Sequence, residues 1–123
     1  MSGTYLFIEA IDFTDTVKSY FGSDEAYADF QSELAENPNK GVVIPGAAPL
    51  RKLRWADKRR SMGKRGGLRV IYIDIPELRV LFMLDVYGKD EADDLTSTEK
   101  KELQSFAKQL VEELRLRNKK GKL

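Results

Sequence analysis

The succession of hydrophobic periods along this 123-residue chain predicts an α+β domain of order β-α-α-β-β-β-α, a small fold with a largely antiparallel twisted sheet and helices packed against it. Three observations carry that expectation. Two helical stripes follow one another near the N-terminus, three β-rich segments follow one another in the middle, and a strong helical stripe closes the chain. Consecutive strands joined by short turns pair antiparallel, whereas a parallel pair needs a long crossover between its strands.

Residues 4–11, TYLFIEAI, are mostly apolar and rich in β-formers, which predicts a strand covered on both faces. From Asp12, a candidate N-cap, the period changes, and Phe13, Val17 and Phe21 fall four apart on one helical face. Gly22-Ser23 punctuates, and a second helix carries Tyr27, Phe30 and Leu34 before stopping ahead of Asn37-Pro38. Residues 41–49, GVVIPGAAP, read as irregular chain with a short extended piece. LRKLRW (50–55), LRVIYIDI (68–75) and RVLFMLDVY (79–87) read as strands, the last two joined as a hairpin through Pro76-Glu77-Leu78. Thr96 and Glu99 have capping-box spacing, and Leu103, Phe106, Leu110 and Leu114 then form a stripe to about residue 116. One domain over residues 1–117 with a basic, frayed tail at 118–123 is the expected organisation.

Composition excludes several chemistries. The chain has no cysteine and no histidine, which removes disulfides, thiolate nucleophiles, Cys-based zinc sites and imidazole acid–base catalysis. Acidic clusters at 24–29 and 91–94 lack the spacing of a calcium loop or a two-metal site, so neither a metal nor any other cofactor is expected. No apolar run approaches the length of a membrane span and no signal sequence is evident, so a cytoplasmic protein is expected.

Charge is distributed unevenly. Between Arg51 and Arg69 stand nine cations (Arg51, Lys52, Arg54, Lys58, Arg59, Arg60, Lys64, Arg65 and Arg69) against Asp57 alone, a local charge of +8 in a chain of net charge +1. Such a field in an acidic body attracts phosphate locally. Lys52 and Arg54 lie two apart on a strand and therefore share a sheet face, and Arg69 opens the next strand just after Gly66-Gly67. Cations fixed on rigid strands around one point are what phosphate chemistry needs. The alternative is a solvated loop at Lys58–Arg65 and a glycine pair that only permits a tight strand start. Trp55 and Tyr72 can stack on bases or join the core, with core favoured for Tyr72. Tyr87 ends a strand at Gly88-Lys89 and can line a cleft mouth or join the core. Asp85, inside an apolar strand, calls for an ion pair or a solvent outlet. A hairpin register with Asp74 opposite Arg79 places it near Leu68 and Arg69.

The succession LRKLRW, GKRGGLRVIY, a hairpin into LDVYGKDEADDLT and a last helix with EKKELQ resembles the RelE superfamily of bacterial toxins, most closely the HigB-type branch of type II toxin–antitoxin systems. The resemblance covers nearly the whole chain to Leu114. It implies a ribosome-dependent endoribonuclease that cuts mRNA in the A site by metal-free attack of the ribose 2′-hydroxyl on the adjacent phosphate. It also implies a cognate antitoxin, usually bearing a helix-turn-helix DNA-binding domain, and a toxin that is monomeric when free. On this reading Lys52, Arg54, Arg69, Lys89 and Tyr87 form the catalytic set, with Lys52 a candidate base and Lys89 assisting the leaving oxygen. Arg51, Lys58, Arg59, Arg60, Lys64 and Arg65 would bind RNA and ribosome. Asp90 stands where the family has an arginine, and Thr96 where it has a tyrosine. Two rival readings share the fold: a ParE-like toxin that binds DNA gyrase without catalysis, and a degenerate RNA-binding regulatory module.

Overall fold

A computed structural model describes residues 5–56, 67–89 and 94–121. Its elements are β1 (Leu6–Glu9), α1 (Ile11–Phe21), α2 (Asp24–Glu36), β2 (Val42–Val43), β3 (Arg51–Trp55), β4 (Leu68–Ile75), β5 (Val80–Gly88) and α3 (Ser97–Lys119). The five strands form one sheet in the order β1-β5-β4-β3-β2. The α+β class and the mostly antiparallel sheet expected from sequence are what the chain adopts. One extra strand, β2, comes from the extended piece after Gly41. It pairs antiparallel with β3, Val42 opposite Lys52 and Val43 opposite Arg51.

The sheet has two covered faces. On one, Phe13, Val17 and Phe21 of α1 and Phe30 and Leu34 of α2 bury against Leu53, Leu68, Val70, Tyr72, Leu81, Met83 and Val86. The rings of Phe21, Tyr27, Phe30 and Trp55 stack or meet edge-on here, with Trp55 perpendicular to Phe30 at 5.0 Å. The Tyr72 hydroxyl donates to the Pro38 carbonyl at 2.7 Å and accepts from the Gly41 N–H at 2.8 Å. A Cβ on Gly41 would lie 2.7 Å from the Tyr72 ring, so only glycine admits this close approach. On the other face, α3 lays Ala107 and Leu114 over Ile71, Ile73, Ile75, Val80, Phe82 and Leu84. The expected α3 stripe is rotated slightly: Ala107 rather than Phe106 faces inward, and Phe106 is half-exposed with its edge toward Phe82.

Several local expectations need correction. β1 is an edge strand, parallel to β5 and shorter than residues 4–11, and Leu6 is 53% exposed rather than covered. The α1 N-cap is Ala10, with no side-chain cap; Asp12 instead lies inside the first turn, where its charge favours the positive helix end. Ser23 is the side-chain cap that does form, accepting from the Ala26 N–H, after Gly22 takes a left-handed conformation at φ 87°. Between β4 and β5 a short 3₁₀ turn at Pro76–Leu78 and a left-handed Arg79 (φ 55°) close the hairpin. Ile75 therefore faces Val80 and Asp74 faces Leu81, not Arg79. A bulge beyond Tyr72 shifts the register again, which sets Asp85 opposite Ile71 and Tyr87 opposite Arg69. Thr96 caps α3 with the full capping box: its hydroxyl accepts from the Glu99 N–H, and the Glu99 carboxylate accepts from the Thr96 N–H. α3 continues through Lys119, so the first residues of the expected tail are helical.

Candidate functional site

Strand alternation sorts the basic window onto two faces. Leu53 is buried on the α1/α2 side, so its neighbours Lys52 and Arg54 point to the α3 side. The same alternation on β4 puts Val70 and Tyr72 on the α1/α2 side and Arg69 with Ile71 on the other. On β5 the bulge returns Asp85 and Tyr87 to the α3 side, in register with Ile71 and Arg69. Arg54 is the direct cross-strand partner of Arg69, and Arg69 of Tyr87. Three adjacent strands thus present Lys52, Arg54, Arg69, Asp85 and Tyr87 on one face, at the end of the sheet where the strands run out to Gly67, Gly88 and Lys89.

Two like charges paired directly across strands repel and are unfavourable unless an anion sits between or beside them. Arg54 is exposed, while Arg69 is 3% exposed, the one buried charged side chain among the described residues. Its guanidinium donates to the Leu68 carbonyl at 3.2 Å. Asp85, half-buried, accepts from the Val86 N–H at 2.9 Å. The Tyr87 ring belongs to the buried core on the α3 side, and its hydroxyl has no hydrogen-bond partner among the described residues. Burial, with Asp94 and Asp85 nearby and Arg69 opposing, pushes the phenol up to about 12. At neutral pH it is a protonated donor set among Asp94, Asp85 and Glu99, with Arg69 the cation beside it.

Sequence reasoning passed over Asp94, which stands just before α3. Its Oδ1 accepts from the Leu95 N–H at 2.8 Å and lies 3.3 Å from Lys52 Nζ, and its Oδ2 lies 3.7 Å from Lys100 Nζ. Partial burial works against ionisation, but the Leu95 N–H and the two lysines outweigh it and hold the carboxyl below its usual range. The available signal was its place two residues before a capping-box threonine, where Asp side chains bond the next backbone N–H.

The other expected site residues divide. Lys89 is exposed at the strand end, its N–H donating to the Gly67 carbonyl at 3.0 Å. Arg51 points to the opposite face from Lys52, where it donates to the Gly41 carbonyl at 2.6 Å and holds the β2 approach in place. Lys58, Arg59, Arg60, Lys64 and Arg65 lie outside the described residues, as does Asp90. Among the described residues no group of three or more carboxylates is placed to hold a metal ion, and no helix is long and apolar enough to cross a membrane.

No family model matches the chain. Among solved structures it is similar to the E. coli toxin RelE, a double mutant in the free state. Identity is 16% over 74% of this chain and 90% of that one, with a TM-score of 0.47.

Proposed function

We propose that this protein is the toxin of a type II toxin–antitoxin pair, of the HigB-type branch, and acts as a ribosome-dependent mRNA endonuclease. The observation that carries the reading is the convergence of Lys52, Arg54 and Arg69 with Tyr87 on one sheet face, each supplied by a strand of the central three. The motif order that resembles the RelE superfamily supports the same assignment.

The chemistry follows from the donors. Lys52, Arg54 and Arg69 bind the non-bridging oxygens of the scissile phosphate and offset the charge that grows there as the fifth oxygen bonds. The ribose 2′-oxygen attacks phosphorus, and its proton passes to the Asp85 carboxylate on the same face. The bond to the 5′-oxygen breaks, and that oxygen takes the Tyr87 phenolic proton, leaving a cyclic phosphate and a free 5′-hydroxyl. Lys52, paired with Asp94, acts as a cation rather than as the base. Lys89 stands at the rim and supports the leaving side. The antitoxin and the ribosomal A site are the partners this function requires.

Primer extension on a defined mRNA held on bacterial ribosomes tests the reading, with wild-type protein and Arg69→Ala side by side and with EDTA present or absent. New 5′ ends inside the A-site codon that persist in EDTA and vanish in the variant are expected. Intact mRNA with folded wild-type protein would overturn the nuclease and favour a gyrase-binding toxin, for which a supercoiling assay is the next measurement.

A further inference from the structure

Beside the cation cluster, on the β2 side, lies a cavity of about 600 Å³ whose lining includes Val42, Val43, Lys52, Arg54 and Asp94. That volume falls in the ~300–1,000 Å³ range of sites that take a small organic ligand. Its wall has three chemically distinct parts. Lys52 and Arg54 belong to the phosphate cluster. Val42 and Val43 are exposed aliphatic side chains, 72% and 40% accessible, on a strand of only two residues. Asp94 adds a carboxylate whose Oδ2 has Lys100 at 3.7 Å, beyond hydrogen-bond length, and so keeps acceptor capacity.

A bare anion would use the cations and leave the aliphatic wall idle. A carboxylate on the rim would also repel it. A nucleotide uses all three parts: phosphate on Lys52 and Arg54, the flat base against Val42, which pairs with Lys52 on that face, and a base N–H on Asp94. Carboxylates accept from the exocyclic amino group of cytosine and repel a carbonyl placed there. We propose that this cavity is a nucleobase subsite adjoining the scissile phosphate, and that Asp94 makes it prefer bases bearing an amino donor over uracil. The proposal rests on the nuclease reading of the cation cluster and adds to it the part of the substrate that is not phosphate.

The test uses the full chain, ¹⁵N-labelled, titrated separately with inorganic phosphate, CMP and UMP while amide shifts are followed. CMP and UMP differ at C4, amino in place of carbonyl, and at N3, a bare acceptor in cytosine and an N–H in uracil. The comparison therefore reads the C4 edge against the N3 donor that uracil alone offers. Phosphate should move the amides of Lys52–Arg54 and Arg69. CMP should move Val42–Ile44 in addition and bind about fivefold tighter than UMP, as one gained donor and one removed repulsion imply. Asp94→Asn, which keeps the shape, should bring CMP and UMP to within about twofold. A phosphate response without any nucleotide response at Val42–Ile44 overturns the subsite and leaves the nuclease standing. Equal affinity of wild type for CMP and UMP overturns the role of Asp94. Response of Val42–Ile44 to a short valine–glutamate peptide but not to CMP assigns the cavity to a protein partner and overturns the proposal. No response to phosphate at Lys52–Arg54 and Arg69 removes the phosphate site, and the nuclease reading with it.

Discussion

Two tyrosines on neighbouring strands, Tyr72 on β4 and Tyr87 on β5, show how differently the two faces of one sheet are finished. Tyr72 is fully buried against α1 and α2, and its hydroxyl both donates and accepts, closing the backbone at Pro38 and Gly41. Tyr87 is nearly as buried, yet its hydroxyl is left without a partner among the described residues, with Arg69, Asp85 and Asp94 acting on it. On the first face packing and hydrogen bonds account for the aromatic and aliphatic groups, and Asp74 alone keeps a buried oxygen without a hydrogen-bond partner among the described residues. On the second, α3 covers the apolar middle, and the strand ends hold half-buried Lys52 and exposed Arg54 beside the buried Arg69. An unsatisfied hydroxyl beside clustered charge, rather than an unsatisfied atom alone, is the combination that a ligand can complete.

The comparison is sharpest at its extremes. Phe30, with no exposed surface, sits between Phe21, Tyr27 and Trp55 on the finished face. Phe30→Ala should cost about 3–5 kcal/mol in urea unfolding, because the cavity cannot fully collapse, while cleavage per folded molecule stays unchanged. Arg69→Ala is the counterpart on the other face. It should lower A-site cleavage by about 10²–10³-fold, the scale of removing one preorganised transition-state donor, with the folded circular dichroism spectrum retained. Full toxicity in a folded Arg69→Ala protein would break the division between the faces.

The two tyrosines supply the next test, since removing the same hydroxyl should act in opposite ways. Tyr87→Phe should lower cleavage by about 10²-fold, as loss of a general acid does. Its unfolding free energy should hold steady or rise, because a buried hydroxyl without a partner costs stability. Tyr72→Phe should leave cleavage untouched and cost about 1–3 kcal/mol, since the Gly41 N–H and the Pro38 carbonyl lose their partner inside the protein. Denaturation and single-turnover cleavage on the pair decide the matter. If Tyr72→Phe alone impaired cleavage, the catalytic face would be the wrong one.

These contrasts also explain what was legible in the sequence. Periodicity located α1 and α2, the capping box placed the start of α3, and alternation put Lys52 and Arg54 on one face, because each is set by neighbours within a few residues. The parallel pairing of β1 with β5 was not legible, since it joins residues seventy-four positions apart and leaves no local mark. The bulge between β4 and β5 was hidden as well, and it decides whether Asp85 faces Val70 or Ile71. A one-residue slip exchanges faces, so a register judged from turn residues alone misplaced Asp85. Asp94 was overlooked for the same reason: its partner Lys52 lies forty-two positions away.

That pair gives the smallest effect and the most specific one. Lys52, Lys100 and the Leu95 N–H hold the Asp94 carboxyl below its ordinary range, against the burial that opposes ionisation. A carboxyl depressed in the folded state stabilises the fold above its unfolded value of 3.8. That stability is lost as pH falls through the lower folded value. Wild type should therefore lose an increment below pH 4 that Asp94→Asn lacks. The side chain of Asp94 is 46% exposed and those of the lysines 27% and 30%, so solvent screens the pairs. The increment should stay below about 1 kcal/mol and shrink in high salt. Acid unfolding of the two proteins at low and high salt measures it. An acid loss of the same size at low and high salt would mean that Asp94 acts on the fold through its bond to Leu95, and that the ion pair with Lys52 contributes nothing to holding the cation in place.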